Sequence, residues 1–296
     1  MNRLCIGLLL IAVVAFAQQP PAPVSTQDTS VLLAVVSRDA SMVSGGIGQG
    51  LWAGRGSIYV EPMARLTQSG DWVDIPCGID QESTSTGRKG CLKFVRDYLS
   101  KQHTYTVVST DGEGAMVQAK PGTLSECFDY GETGTYSGAA IAKWGLAASS
   151  TELFSTSDSL RPLSVEDAAQ IRKALTAFTP KKLDSVQYLR LFSLKLEGQE
   201  LVVVQRAFTD YAGKPEQNWL KQIFAIGVTE HGRFRFLHWK ENIDDEEERV
   251  VGTIHMKNGR DFLITTVSDP ESQWFRVYGI RDGKLALVYS GGGSAC

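Results

Sequence analysis

The chain has 296 residues, with 30 Lys and Arg against 33 Asp and Glu, for a formal net charge of −3. That mild balance argues against a nucleic-acid partner, which needs a basic face, and against docking on an anionic membrane surface. The length allows one large or two ordinary domains. Plentiful Gly, Thr, Ser and aromatic residues lean toward strands and turns.

Residues 1–17 read as an export signal. Met1, Asn2 and Arg3 give a short positive start, Leu4 to Ala17 is an apolar run, and Ala15-Phe16-Ala17 supplies the small-x-small cleavage pattern. No later stretch approaches the ~20 apolar residues of a membrane-spanning helix. The mature chain is therefore expected near Gln18, periplasmic or extracellular, with no transmembrane segment. Residues 18–30 are a polar, proline-bearing disordered lead-in. Cys5 leaves with the signal. Cys77, Cys91, Cys127 and Cys296 remain, an even number that suggests two disulfides in an oxidising compartment. Cys77 and Cys91 are closest and flank a polar loop, which pairs them and leaves Cys127 with Cys296. Zinc is the rival reading, but no C-x-x-C or H-x-x-x-H spacing is present.

The fold class read from the pattern is mainly β: an irregular, disulfide-bearing β-rich part over 31–146, a linker over 147–163, then one helix and two four-stranded antiparallel units over 164–296. Val31 to Val36 is a buried strand. A glycine-rich stretch follows, from Gly45 to Gly56, and then short apolar segments SIYVEPMARL, DWVDIP, TYTVVS and AMVQAKP. Residues 91–102 fit helical spacing at Leu92, Val95 and Leu99, but Phe94 and Tyr98 blur it. Ser164 starts the clear helix: Asp167 completes a capping box, Ala168, Ile171, Leu175 and Phe178 form one apolar stripe, and Pro180 stops it.

From residue 185 the chain reads as hairpins, with turns at Glu197-Gly198-Gln199, Glu230-His231-Gly232, Lys257-Asn258-Gly259 and Arg281-Asp282-Gly283. Asn258-Gly259 and Asp282-Gly283 predict type I′ turns. Trp219 and Trp274 recur at the third strand of each unit, which favours a core role. A repeated four-stranded meander is the pattern of propeller blades. The last forty-five residues or so, from VVGTIHMKNGRDFLITTVS to YSGGG, resemble FG-GAP or VCBS repeats of exported bacterial proteins. That resemblance implies a calcium loop at the first turn, yet Met256 to Asp261 offers one carboxylate beside Lys257 and Arg260, too few oxygens for a hard cation. Two blades cannot close a ring, so either the first half adds blades or the two sheets pack as a sandwich-like pair.

The chain contains no G-x-S-x-G, H-E-x-x-H or P-loop motif. Gly48-Gln49-Gly50-Leu51-Trp52-Ala53 matches G-x-G-x-x-A without a βαβ context and reads as a loop. Its glycines allow a ligand close to the backbone, and Trp52 is the candidate ligand contact, with Gly48 and Gly50. His103, His238 and His255 are candidate bases, and His231 is a solvated turn residue. The run Asp244 to Glu248 reads as a solvated loop. These residues lead to a non-catalytic binding or envelope-associated module whose partner is a protein or glycan, with no cofactor and no metal. The alternative is a secreted hydrolase using one of the three histidines and nearby carboxylates between the two parts. A purely structural envelope protein is the third expectation.

Overall fold

The computed structural model describes residues 30–37, 57–77, 84–109, 113–124, 130–138, 144–155, 161–178, 185–211, 218–230, 233–242, 246–268 and 272–295. The expected signal segment, all of the lead-in but Ser30, and the Cys127–Cys296 pairing lie outside these residues.

Every residue of the first strand, β1 (Val31–Ser37), is buried, as its unbroken apolar run requires. Its two faces meet two different cores. Leu32, Ala34 and Val36 point into one, while Val31, Leu33 and Val35 point into another. The first core is the inside of a closed antiparallel barrel. It is built from β1, β2 (Ser57–Leu66), β4 (Thr104–Val107), β5 (Met116–Leu124), β6 (Tyr130–Ser137) and β7 (Trp144–Ala148), with the short β3 (Trp72–Asp74) added to the far half of β2. The strand order is β1-β7-β4-β5-β6-β2, and a β2–β1 pairing closes the ring. Closure removes the sheet edges that would otherwise invite pairing with another chain. The expected irregular N-terminal part is thus a regular barrel.

Helix α1 (Ser85–Asp97) packs on the barrel core through Cys91, Phe94, Val95 and Tyr98, and Leu99 follows in a 3₁₀ turn, Leu99–Lys101. The helix begins inside the segment expected to be loop. The reason is local: Thr84 caps it, its hydroxyl accepting from the Gly87 N–H at 3.0 Å. Cys91 is then tied to Cys77 by a disulfide with Cα atoms 4.7 Å apart, as expected.

The remaining strands form two sheets. The inner sheet holds β14 (Glu247–Met256), β15 (Asp261–Ser268), β16 (Ser272–Arg281) and β17 (Lys284–Ala295), with the two-residue β8 (Phe154–Ser155) on its β14 edge. The outer sheet holds β10 (Ser185–Leu196), β11 (Gln199–Tyr211), β12 (Asn218–Glu230) and β13 (Arg233–Asn242), with β9 (Arg161–Pro162) on its β10 edge. Both edge strands come from the segment read as a linker. Each sheet contains the expected four-stranded antiparallel meander.

Strand alternation explains the stacking. Phe262, Ile264, Phe275 and Val277 pack against the barrel wall of Leu33, Val35, Met63 and Leu146. Leu263 and Tyr278, on the opposite face, pack against Leu194, Leu201, Val203, Phe224 and Ile226 of the outer sheet. The outer sheet in turn buries Val202, Val204, Ile223 and Ala225 under Ile171 and Leu175 of α2 (Val165–Phe178). The order is barrel, inner sheet, outer sheet, helix. Two sheets face one another, and the first half contributes a barrel rather than further four-stranded units.

The α2 start matches expectation. The Ser164 hydroxyl accepts from the Asp167 N–H at 3.0 Å and donates to the Asp167 carboxylate at 2.8 Å. The turns divide. Glu197-Gly198 and Asp282-Gly283 both have positive φ (48°, 79° and 51°, 70°), as type I′ requires. At the expected Asn258-Gly259 type I′ turn only Gly259 is positive, at 85°. Asn258 is held otherwise by its side chain: its oxygen accepts from the Arg260 N–H at 3.0 Å and its NH₂ donates to the Gln68 carbonyl at 3.1 Å. Arg260 donates to the Ser69 carbonyl at 2.6 Å, so this turn fastens the inner sheet to the β2–β3 turn. Further along, the φ of Gly292 is 61°, and a Cβ there would lie 2.0 Å from the Met63 carbonyl oxygen. The Gly-Gly-Gly run is what lets β17 cross the barrel wall.

The Cys77–Cys91 bridge spans 14 positions. The Cys77→Ser/Cys91→Ser variant is expected to lose about 3 kcal/mol of stability in urea denaturation, as loop closure of this length predicts.

Candidate functional site

Trp52, Gly48 and Gly50 lie outside the described residues, as do Asp244, Asp245 and His231. The other sequence candidates fall in separate places. His103 is exposed just before β4. Trp72, which no sequence pattern singled out, is at the barrel–sheet junction, edge-on to Phe262 (5.4 Å between centroids) and stacked on Tyr289 (5.5 Å). The Tyr289 hydroxyl donates to Asp74 at 2.6 Å, and burial together with that carboxylate holds the phenol well above its ordinary pKa. Trp274 is half-buried, its ring 5.6 Å from the Arg276 guanidinium.

His238 and His255 both face the space between the two sheets, each with its own neighbours. His255 Nδ1 is 2.8 Å from Asp261 Oδ1, the two residues sitting opposite each other on β14 and β15. The other Asp261 oxygen accepts from the Glu197 N–H, in the outer sheet's β10–β11 turn. The one acidic residue at the turn read against calcium is therefore engaged by a histidine and a backbone donor. Among the described residues no group of three or more His, Cys, Asp or Glu could hold a metal ion.

His238 borders a buried charge network. Glu248 is fully buried (0% exposed), which corrects the solvated-loop reading of that residue. Its Oε1 accepts from Thr265 (2.8 Å) and Tyr278 (2.7 Å), and its Oε2 accepts from Arg276 (2.7 Å). The outer sheet grips its backbone: Gln205 donates to the Glu248 carbonyl at 3.0 Å, and the Glu248 N–H donates to Gln222. Arg276 and Lys240 both reach Glu246, and Arg249 reaches Glu247. Burial opposes the Arg276 charge, but Glu248 outweighs it and holds the guanidinium above its ordinary pKa. Burial and the neighbouring carboxylate raise the Tyr278 phenol. Burial lowers the His238 pKa; Glu248 opposes this, while Arg276 and Lys240 add to it. The His238 ring lies against Phe224 and Tyr278, and its Nε2 is buried without a hydrogen-bond partner among the described residues. Such a network binds the sheets in register. It was hidden in the sequence because Glu248 ends a run of five carboxylates; Arg276, alternating with Phe275 and Val277, was the available signal.

The outer face of α1 has a different character. Arg88, Lys89, Leu92, Lys93 and Arg96 are exposed, Leu92 by 53%. From Ser85 to Lys101 there are five basic residues and one acidic one, Asp97, which pairs with Arg96 at 2.7 Å. Helical spacing sets Arg88, Leu92 and Arg96 in one row and Lys89 and Lys93 in the next. The mild net charge of the chain conceals this cluster. Among the described residues no helix is long and apolar enough to cross a membrane. No protein-family model, no curated protein and no solved structure matches the chain.

Two outcomes follow from the network. Arg276→Leu leaves Glu248 buried and unpaired, so it is expected to cost about 3–5 kcal/mol in urea denaturation, with Glu248→Gln/Arg276→Leu recovering most of the loss. Because the folded His238 pKa is depressed, the unfolded chain binds the extra proton. The neutral ring's contribution to stability is therefore full above the unfolded value of about 6.5 and is lost as pH falls toward the folded pKa. His238→Phe is expected to flatten the stability change between about pH 7.5 and pH 5.5.

Proposed function

We propose that the chain is an exported module that holds an anionic glycan of the cell envelope on the outer face of α1. The observation that carries this reading is the basic face itself: two rows of cations around an exposed Leu92, in a chain whose net charge is −3. Arginine and lysine in rows match repeating carboxylate or sulfate groups, and the local field concentrates polyanions despite the overall charge. The Leu92 side chain offers apolar contact for sugar rings. Export is supported by the leader pattern of residues 1–17 and by the Cys77–Cys91 bridge, a bond that persists in oxidising compartments. The disulfide and the barrel core hold α1 rigid, which lowers the entropy cost of binding. The likeness of the last forty-five residues to FG-GAP or VCBS repeats belongs to the same proposal. In it, the meander serves as scaffold and its first turn, with Asn258 and Arg260, fastens one layer to the next.

Polygalacturonate and heparin immobilised on a surface provide the test, with neutral dextran and phosphatidylglycerol vesicles as comparisons. The protein is expected to bind the polyanions with an affinity that falls as salt rises, and Lys89→Glu/Lys93→Glu is expected to weaken binding by ~tenfold or more, without altering the melting temperature. Equal retention by dextran, or unchanged binding of the variant, would overturn the reading. Preference for the vesicles would move the partner from glycan to lipid and overturn it as well.

A further inference from the structure

Three side chains of complementary chemistry stand in one row across the inner sheet. The register sets Ser155 of β8 opposite His255 of β14, and His255 opposite Asp261 of β15. Directly opposed residues on antiparallel strands share a face, with Cβ atoms about 4.5–5.5 Å apart. The neighbours Phe154, Met256 and Phe262 point into the core against the barrel, so the row faces the other way. Asp261 fixes the ring: its Oδ1 is 2.8 Å from His255 Nδ1, and its second oxygen is itself held by the Glu197 N–H. With Nδ1 carrying the hydrogen toward Asp261, the lone pair lies on Nε2, which is buried and has no hydrogen-bond partner among the described residues. Ser155 is exposed at the sheet edge, where a substrate can reach it.

We propose that Ser155, His255 and Asp261 form a serine-nucleophile site that hydrolyses carboxylic esters. The proposed chemistry requires the Ser155 hydroxyl to turn toward the ring; hydrogen bonds of this kind are commonly loose before substrate binds. The Ser155 oxygen adds to the ester carbonyl carbon while its proton passes to His255 Nε2. The carbon–alkoxide bond then breaks, the alcohol leaves with that proton, and an acyl-serine remains. Water adds to the acyl carbon, its proton passes to Nε2, the carboxylic acid departs, and the proton returns to the Ser155 oxygen. Asp261 holds the tautomer and stabilises the imidazolium at each transfer. No oxidant, metal or cofactor enters the balance. The site is separate from the basic face of α1, so it stands or falls independently of glycan binding.

The full chain is to be treated with a fluorophosphonate probe and, separately, with p-nitrophenyl acetate. The expected result is a single adduct on Ser155 by peptide mass spectrometry, with adduct and p-nitrophenolate release both lost in Ser155→Ala. Asp261→Asn is expected to slow labelling by roughly a hundredfold or more at unchanged far-UV circular dichroism. Where Asp261→Asn does not fold, Ser155→Ala, an exposed substitution at a two-residue edge strand, gives the answer alone. No adduct on Ser155, or ester turnover that survives in Ser155→Ala, would overturn the assignment.

Discussion

The burial of β1 on both faces is the constraint on which the other layers rest. A strand that feeds a single core alternates apolar with polar, whereas Val31–Val36 is apolar throughout because both of its sides are interiors. Its even-numbered residues fill the barrel and its odd-numbered residues form the wall on which the inner sheet lies. The pairings follow: β1 joins β7 on one side and β2 on the other, and that second pairing closes the ring. Had one face of β1 been polar, the barrel could still close, but its wall would have no reason to accept Phe262, Phe275 and Val277.

Between the two sheets the same logic runs with an exception at one end. Most of the seam is apolar, from Leu194 and Leu201 to Tyr278. Around Glu248 it is charged, and each polar atom of that carboxylate has a donor: Thr265 and Tyr278 on one oxygen, Arg276 on the other. An ion pair of this kind adds little net stability over an apolar replacement, but it punishes any register that separates its members. Gln205 and Gln222 carry the restriction across to the outer sheet by bonding the Glu248 backbone. The apolar seam supplies attraction without direction, and the network supplies direction.

What was legible in the sequence was local. Ser164 and Asp167 announced α2 because a cap depends on residues three apart, and the eight strands after residue 185 were read to within a few residues because alternation and glycine turns are short-range signals. Asn258 marks the limit of that reading. Its dipeptide favours a type I′ turn, but the side chain is held by Gln68, which lies 190 positions earlier. Barrel closure was illegible for the same reason, as Leu33 pairs with Ala148 across most of the first half. The strand β6, YGETGTYS, looks like turn by composition and becomes strand through its neighbours β5 and β2. The Ser155–His255–Asp261 row could not be seen at all, since β8 is two residues long and only its pairing with β14 puts a serine beside the histidine.

The wall shared by β1, β2 and β7 has a consequence for the order in which the polypeptide matures. The segments that cover it, β14 to β16, run from residue 247 to residue 281, far along the chain from the strands they cover. Until those strands are in place, a finished barrel would show Leu33, Val35, Met63 and Leu146 to water as an oily flank. A barrel finished ahead of its cover is thus the exposed, aggregation-prone intermediate of this fold.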